Sequence, residues 1–410
     1  MNTELRIPSV ADWDTWLGCL ELAFGGVPLT PESREMYATL SRPDRSLGHW
    51  DGAECVGTAG AYAFQVTVPG GAAVPAAGVT MVSVAATHRR QGLLTSMMRR
   101  QLDDVRSWGE PIAVLKASEP AIYGRFGYGA ATGETGLRID TSLVRLALPP
   151  GTDGVRLRRV SPAGALDACE AVYARLAPGR PGTPVRQPGW EQLAVNDPAA
   201  HREGGSPLIC VLAERDGEVT GYVTYRVRPA WDEAGPRGTV AVRDLAALDA
   251  ASYAALWRFL FGIDLTSSIE CGNRPADDAV LRLVSDVRRC EVRLRDGLHV
   301  RLVDVGAALE ARRYRAPVDL VLEVEDDFCP WNAGRWRLTG DAKGVASCRR
   351  TEDRADLALS VRELGAAYLG GVSLTSLASA GLVRENRPGA VAEAALAFSW
   401  DVAPWCPHEF

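Results

Sequence analysis

Residues 82–95 combine residue types that suit the binding of a ligand that carries phosphates. An apolar β-type run ends in this segment, a polar turn with Arg89, Arg90 and Gly92 follows, and a helical pattern then begins. Backbone N–H groups at a helix N-terminus have no partner within the helix, and the positive end of the helix dipole lies there, so this place suits a pyrophosphate. Gly92 would let the backbone approach the phosphates closely, and both arginines add positive charge.

The strand side of this segment suits an extended ligand arm. If the strand with Val82 and Val84 splays away from its neighbour, its free edge can hydrogen-bond a pantetheine arm as another strand would. The alternative is a surface turn before an ordinary helix, which a short Arg-x-x-Gly pattern does not exclude. We interpret His88, in the same turn, as a hydrogen-bond donor. The predicted cofactor-binding residues of this segment are Val82, Val84, Arg89, Arg90, Gly92, Leu93 and Leu94.

The patterns around this segment predict a domain of mixed α and β structure. Alternating apolar residues on either side of the turn Asp51-Gly52 indicate an antiparallel strand pair. Trp13 and Trp16 are predicted to be core residues of the first helix. The predicted elements are a helix at 12–24, strands at 47–50, 55–67 and 78–85, an amphipathic helix at 92–108 and a buried strand at 112–117.

This order of elements repeats more weakly in residues 151–292, which predicts a duplicated domain. The strands and helix of the second copy are predicted at 208–214, 219–227, 240–248 and 252–262. Where the first copy has two arginines and a glycine, the second has Asp249-Ala250-Ala251-Ser252. We therefore expect only the first copy to bind a pyrophosphate. Residues 293–410 predict a third region, with strands followed by helices.

The composition is that of an ordinary globular protein and argues against several classes of function. A net charge of −6 disfavours nucleic acid or an anionic membrane as the partner. Nine scattered cysteines without a C-x-x-C pair, and five histidines without metal-ligand spacing, predict reduced thiols and no metal site. We expect a soluble, cytoplasmic protein, because no signal peptide or membrane-length apolar run is visible; secretion stays open. Lys116 and Lys343 are the only lysines, which we attribute to genome composition.

A more specific pattern follows the strand at 112–117. Residues 117–129 read A-S-E-P-A-I-Y-G-R-F-G-Y-G, and residues 87–94 read T-H-R-R-Q-G-L-L. Together they resemble the Eis (enhanced intracellular survival) acetyltransferases of the GNAT superfamily, although Leu94 departs from the small residue usual at the end of the GNAT motif. The run LGAAYLG at 364–370 and the ending Glu409-Phe410 resemble that family too. The resemblance covers essentially the whole chain.

The resemblance implies a fold and an assembly. Two tandem GNAT-like domains of mixed α+β structure would occupy residues 1–150 and 151–292, and only the first would bind acetyl-CoA. A sterol-carrier-protein-like α+β domain would occupy residues 293–410 and end in the active-site carboxylate. The family also implies acetyl-CoA as co-substrate, no metal, and a homohexamer.

The resemblance further implies two catalytic residues. Tyr123 matches the family's general acid, and a tyrosine, whose pKa is ordinarily about 10, is well matched to protonating a thiolate. A packing aromatic in a glycine-rich turn is the alternative. The family's base is the C-terminal carboxylate, here that of Phe410, and the apolar residues 403–410 suit burial of this end. His408 is the competing base.

Other residues are assigned to the walls of the site. Ser118 is predicted to position the thioester or a water, and Glu409 to help hold a cationic amine. Phe24 matches a substrate-binding aromatic at the end of the first helix. We interpret Phe126 and Tyr128 as packing residues. Departures from the family at neighbouring positions leave the specific substrate open.

These inferences predict an N-acetyltransferase that acetylates primary amines of polycationic substrates by direct transfer in a ternary complex. Aminoglycoside-like antibiotics and lysine side chains of peptides or proteins both fit this prediction. The alternative is a catalytically degenerate protein that holds CoA or a lipid as a sensor or scaffold. The presence of Arg89, Gly92, Tyr123 and the ending Glu409-Phe410 favours the enzyme.

Overall fold

The computed structural model describes residues 3–410, which form two compact units. The first unit contains the N-terminal residues as far as Gly133, the short segment Arg180–Val185 and residues Asp296–Phe410. The second unit contains Glu134–Gly179 and Arg186–Arg295. No helix among residues 3–410 is long and apolar enough to cross a membrane.

The N-terminal part of the first unit is built on a seven-stranded sheet. Its strands in chain order are β1 (Glu4–Arg6), β2 (Ser46–Asp51), β3 (Glu54–Thr67), β4 (Ala73–Val84), β5 (Ile112–Lys116), β6 (Gly129–Ala130) and the later strand Leu298–Leu302. The spatial order is β1-β2-β3-β4-β5, then Leu298–Leu302, then β6. Neighbours are antiparallel except β4 and β5, which are parallel.

Four α-helices accompany this sheet. They are α1 (Trp13–Ala23), α2 (Pro31–Leu40), α3 (Leu93–Ser107) and α4 (Pro120–Tyr123). In α3 the buried residues recur at helical spacing, so one face of the helix packs on the sheet. These residues are Leu93, Met97, Met98, Gln101, Leu102 and Val105. Helix α1 packs through Trp16, which is fully buried and stacks on Trp13 with 4.9 Å between ring centroids.

The second unit repeats this arrangement, as the sequence predicted. Its sheet contains the strands Gly133–Asp140, Arg156–Val160, Ile209–Arg215, Glu218–Arg228, Gly238–Ala247, Thr266–Pro275 and Arg293–Asp296. Its α-helices are Leu166–Leu176, Glu191–Val195, Ala250–Phe261 and Val280–Leu283. Gly238–Ala247 and Thr266–Pro275 are parallel and are joined through the helix Ala250–Phe261, in the same order as β4, α3 and β5.

Strand pairing crosses the domain limits suggested at residues 150 and 292. The strand Gly133–Asp140 precedes the first limit but pairs in the sheet of the second unit, with Thr266–Pro275. The strand Leu298–Leu302 follows the second limit but pairs with β5 and β6 in the first sheet. The domain limits at residues 150 and 292 stay predictions. Sequence periodicity could not reveal which sheet these two strands join, because periodicity indicates that a segment is a strand but not which strand it pairs with.

The C-terminal part of the first unit forms the predicted third region of mixed structure. Its five strands are Val318–Glu325, Gly334–Gly340, Ala346–Arg350, Leu357–Ser360 and Val383–Glu385. Its α-helices are Val305–Ala311, Val361–Ala367, Leu374–Ser379 and Ala390–Phe398. The first of these helices was not predicted.

Two glycines bring this region against the first sheet. A methyl group on Gly129 would lie 2.0 Å from the carbonyl oxygen of Arg362, and one on Gly365 would lie 2.4 Å from that of Val300. Gly129 ends the motif I-Y-G-R-F-G-Y-G, and Gly365 lies in LGAAYLG. Each motif therefore contains a glycine that the close packing requires, and the first motif also contains the candidate acid Tyr123.

A buried ion pair joins the same two parts. Arg301, on the strand Leu298–Leu302, donates from Nη2 to both carboxylate oxygens of Asp326 at 2.9 and 2.7 Å. Neither side chain is more than 1% exposed. Asn332 also donates to Asp326, at 3.0 Å. A buried pair of this kind is costly to break on one side only, because the remaining charge is then uncompensated.

We predict that Gly129→Ala destabilises the protein, because the added methyl group meets backbone rather than a movable side chain. Overpacking of this kind costs about 1–3 kcal/mol. The midpoint of thermal unfolding should therefore fall. Gly18→Ala is the control, since Gly18 lies in α1 with open space around it. Equal midpoints for the two variants would contradict the close approach at Gly129.

Candidate active site

An open wedge separates β4 from β5 beyond their first few residues. The pairing between the two strands runs from Ala76 opposite Ile112 to Gly78 opposite Val114 and ends there. Strand β4 continues to Val84 with β3 on its other side. Its edge toward β5 thus becomes available to another extended chain, as predicted for Val82 and Val84.

A β-bulge shapes β4 where the wedge opens. Thr58 lies opposite Ser83 and Gly60 lies opposite Thr80, so Met81 and Val82 together face a single residue of β3. Met81 has a φ of +53°, which is uncommon for a residue other than glycine. The hydroxyl of Thr58 donates to the Met81 carbonyl at 2.7 Å and holds the bulge in place. Bulges of this kind re-aim the strand beside functional sites.

The predicted phosphate loop connects the wedge to α3. Beyond the 3₁₀ turn Ala86–His88, the chain passes through Arg90 and Gly92 at φ of +62° and +87°. Gly92 is the N-cap of α3, and no side chain among the described residues caps this helix by a hydrogen bond. The first N–H groups of α3 are therefore left for an anion, with the exposed Arg89 and Arg90 beside them.

His88 ties this loop to the sheet and also lines the cavity between the loop and the wedge. Its side chain is buried, with Nδ1 at 2.8 Å from the Thr87 hydroxyl and Nε2 at 3.4 Å from a carboxylate oxygen of Asp51. Asp51 ends β2, so the contact ties the loop to the sheet. We therefore interpret His88 as a positioning residue of the loop.

In the second copy, side chains of the protein occupy the places that correspond to the open strand edge and to the uncapped helix N-terminus. At the start of the helix Ala250–Phe261, Asp249 accepts a hydrogen bond from the N–H of Ser252 at 2.9 Å. In the corresponding wedge, the buried Arg274 donates to the Leu245 carbonyl at 2.9 Å and to Asp278 at 2.6 Å. A carboxylate thus occupies the anion position and a guanidinium occupies the strand edge.

A single cavity of about 600 Å³ joins the wedge to the phosphate loop. Every predicted cofactor-binding residue lines it: Val82, Val84, Arg89, Arg90, Gly92, Leu93, Leu94 and Ser118. Phe24, at the end of α1, and Tyr123 line it too, and Phe24 is 59% exposed. Six further residues that line the cavity were not predicted for the site, namely Ala23, Ser83, Thr95, Glu119, Ile122 and Arg125.

Tyr123 is the last residue of α4 and is largely protected from solvent. Burial raises its pKa to about 12, and the negative charge of Glu119 acts in the same direction. The phenol therefore stays protonated at neutral pH and is able to act as an acid. Its ring packs edge-to-face on Tyr128 at 6.0 Å between centroids. Tyr128 and Phe126 are each 1% exposed, as expected for packing residues.

The end of the chain lies against β3, where the wedge opens. The Phe410 ring packs edge-to-face on Phe64 with 5.0 Å between centroids. Phe64 in turn covers Gly78, the last residue of β4 that pairs with β5; a methyl group on Gly78 would lie 2.2 Å from the Phe64 ring. The sequence could not reveal this contact, because Phe64 alternates in β3 like any core residue.

A short strap holds the residues before the chain end. The strap is the segment Arg180–Val185, which belongs to the first unit. The N–H of Gly182 donates to the Thr67 carbonyl at 2.8 Å, and the N–H of Trp405 donates to the Pro181 carbonyl at 2.9 Å. His408 is buried nearby, at 9% exposure. The tail is thus a packed part of the unit, as its apolar composition predicted.

The Glu409 side chain, predicted to hold a substrate amine, is paired with another residue of the protein in this structure. Its carboxylate lies 2.5 Å from the ammonium of Lys116, the last residue of β5. Neither Glu409 nor Phe410 is among the residues that line the cavity. Lys116 was not predicted as a site residue, although its scarcity in an arginine-rich chain was a visible signal.

Comparisons with known proteins agree with this architecture. Residues 4–131 and residues 182–302 each match an acetyltransferase (GNAT) domain, and residues 305–407 match a sterol carrier protein domain. An uncharacterized N-acetyltransferase of Streptomyces avermitilis is 67% identical over the full length of both chains. The N-acetyltransferase Eis of Mycobacterium tuberculosis is 35% identical, over 97% of this chain and 98% of its own. Eis1 from Mycobacterium abscessus matches over 100% of both chains, with 35% identity and a TM-score of 0.83.

The wedge and the uncapped helix N-terminus, together with these matches, define an N-acetyltransferase of the GNAT type. Within that class, the chain belongs to the Eis family. The predicted fold class is confirmed: two GNAT domains precede a sterol-carrier-protein-like domain. GNAT acetyltransferases use acetyl-CoA, and no group of His, Cys, Asp or Glu within residues 3–410 is arranged to hold a metal.

We predict that Gly92→Ala weakens CoA binding about tenfold, because its methyl group would stand where the phosphates approach the start of α3. Gly109→Ala is the matched control: Gly109 also has a positive φ, +73°, and open space around it, but lies beyond the other end of α3. Calorimetric titration with CoA measures both affinities. Equal affinities in the two variants would contradict a phosphate site at Gly92.

Proposed function

We propose that this protein transfers the acetyl group of acetyl-CoA to primary amines of polycationic substrates, without an acyl-enzyme. The observation that carries the proposal is the continuity of the cavity from the uncapped start of α3 along the open edge of β4 to Tyr123. The similar proteins named N-acetyltransferase support the same reaction class.

Acetyl-CoA fits the residues that are present. Its pyrophosphate would accept hydrogen bonds from the first N–H groups of α3, and Arg89 and Arg90 would balance its charge. Its pantetheine arm would add a strand-like edge beside Val82 and Val84. The reactive thioester would then lie toward Ser118 and Tyr123, which line the same cavity.

The chain's own groups provide the proton transfers. The carboxylate of Phe410 would take the proton from the attacking amine while the new C–N bond forms. The C–S bond breaks, and the Tyr123 hydroxyl gives its proton to the leaving sulfur. A tyrosine whose pKa is raised to about 12 keeps this proton until the thiolate forms. No covalent intermediate with the protein is needed.

The substrate side of the proposal rests on charge and shape. Phe24 presents an exposed aromatic ring at the cavity, and Glu119 adds an acidic group to its lining. A second cavity of about 420 Å³ is lined by residues of α1 and has Glu54 and Glu21, which pairs with Arg34, in its wall. Together with the net charge of −6, these features favour cationic amines. Both aminoglycoside-like compounds and lysine side chains fit them.

The proposal also includes a homohexameric assembly and a cytoplasmic location. Membership of the Eis family is the basis for a homohexamer. All nine cysteines are free and buried, which fits the reducing conditions of the cytoplasm.

We expect Tyr123→Phe to lower kcat at least about 100-fold, the usual range for loss of a general acid. Affinity for acetyl-CoA should stay the same, because the ring remains. Tyr128→Phe is the control, since the Tyr128 hydroxyl is buried and has no hydrogen-bond partner among the described residues. CoA release across polyamines, lysine peptides and aminoglycosides measures turnover. Equal turnover in Tyr123→Phe and the wild type would remove Tyr123 from the reaction.

The raised pKa of Tyr123 gives a second expectation. An acid with a pKa of about 12 remains almost fully protonated up to about two pH units below that value. Titration of Tyr123 should therefore not lower kcat up to about pH 10. A decline of kcat between about pH 8 and pH 10 that is absent from Tyr123→Phe would show that the phenol titrates earlier than its burial implies.

We expect one glycine added after Phe410 to abolish most turnover. The extension moves the carboxylate by about 3.5 Å and leaves the Phe410 ring free to keep its contact with Phe64. CoA affinity, measured in parallel, should be unchanged. Full turnover by the extended chain would exclude the terminal carboxylate as the base and turn attention to the buried His408. Turnover on no amine by the wild type, with CoA still bound, would favour the sensor alternative.

A further inference from the structure

Lys116 is an unusual residue in this chain. It is one of two lysines among 45 basic residues, and Lys343, the other, is exposed in the turn after the strand Gly334–Gly340. The side chain of Lys116 is only 9% exposed. A buried ammonium is costly unless an opposite charge compensates it. We therefore expect the buried ammonium group of Lys116 to have a structural or catalytic role.

The position of Lys116 connects it with the reaction centre. It ends β5 two residues after Val114, where the pairing with β4 stops, and it precedes Ser118 by two residues. On its other side it lies opposite Leu298. The sheet thus holds the Lys116 backbone rigidly at the mouth of the wedge.

An opposite charge beside Lys116 is that of Glu409, the residue before Phe410. The two charged groups are 2.5 Å apart, and Glu409 itself is 63% exposed. An exposed glutamate at a chain end would ordinarily be solvated and free to move. Here a nearly buried cation on a rigid strand holds it.

The last two residues therefore have anchors on two different strands. Glu409 is held by Lys116 at the end of β5, and the Phe410 ring is held by Phe64 on β3. Residues 403–408 are held separately by the strap. A ring contact alone leaves the backbone free to rotate, whereas two anchors restrict the direction of the terminal carboxylate.

We infer that Lys116 is a positioning residue that holds Glu409 so that the carboxylate of Phe410 stays at the wedge in a reactive orientation. This inference rests on the proposed function, in which that carboxylate is the base. It replaces the predicted role of Glu409 as a substrate-binding residue with a role within the protein. Misplacement of a catalytic group by about 1 Å can cost as much as 100-fold in rate.

The test uses Lys116→Met, Glu409→Gln and the double variant in the full-length protein, with Lys343→Met as the control. The first readout is independent of chemistry: carboxypeptidase A, which removes C-terminal aromatic residues, is added and the release of Phe410 is followed by mass spectrometry. Both single variants should release Phe410 about tenfold faster than the wild type. The double variant should be no faster than either single variant, because both substitutions remove the same contact.

The second readout is acetyl transfer at saturating acetyl-CoA. In both single variants kcat should fall about tenfold while the KM for acetyl-CoA is unchanged, again without additivity in the double variant. The reversed pair Lys116→Glu with Glu409→Lys should recover part of this loss. Lys343→Met should match the wild type in both readouts.

Two results would overturn the inference. Unchanged release of Phe410 in both single variants would show that the ion pair does not hold the tail. Faster release with unchanged kcat would show that the held tail does not serve the reaction. Failure of the proposed function is distinguishable from either result, since it would appear as a wild type without turnover, while the protease still reports whether Lys116 holds the tail.

Discussion

Backbone hydrogen-bonding groups that the fold leaves open at the wedge are the constraint on which the site depends. Strand β4 loses its neighbour β5 after Gly78, and the N-cap of α3 is a glycine, with no side-chain cap among the described residues. Polar backbone groups of this kind need a partner, either water or a ligand. In the proposed function, the extended arm and the pyrophosphate of acetyl-CoA would supply partners to both at once. The bulge at Met81 and the contact between His88 and Asp51 keep these two open ends in place.

In the second copy, the open backbone groups also need hydrogen-bond partners, but they find them within the protein. Its strand pair also separates early, since the pairing ends at Val242 while the strand runs on to Ala247. There the protein itself provides the partners: Asp249 caps the helix and Arg274 bonds to the open strand. Duplication therefore preserved the backbone geometry, and a few side chains decide whether the open groups face a ligand or the protein.

The proposed base depends on parts of the chain that are far apart in sequence. The Phe410 ring packs on Phe64 of β3, while the strap Arg180–Val185 holds the preceding residues. Close packing of Gly129 and Gly365 keeps the C-terminal region beside the first sheet. A carboxylate at a chain end has no backbone beyond it, so surrounding contacts must fix its position. Lys116 contributes one of these contacts.

The amino-acid sequence by itself determined the local features of this protein. Periodicity located the strands around Asp51-Gly52 and the helix that became α3, because these patterns arise from burial of one face. The turn with Arg89 and Gly92 predicted a phosphate loop, since the N–H groups of a helix N-terminus that no side chain caps can bind an anion. The motif around Tyr123 indicated the family and through it the proposed acid. The predicted cofactor-binding residues accordingly line one cavity.

Tertiary structure alone decided which distant residues meet. The exchange of Gly133–Asp140 and Leu298–Leu302 between the two sheets has no sequence signal, because strand partners are chosen by long-range pairing. The contact between Phe64 and Phe410 and the ion pair between Lys116 and Glu409 likewise join residues hundreds of positions apart. Sequence patterns report which face of an element is buried, whereas only the folded chain determines what that face is buried against.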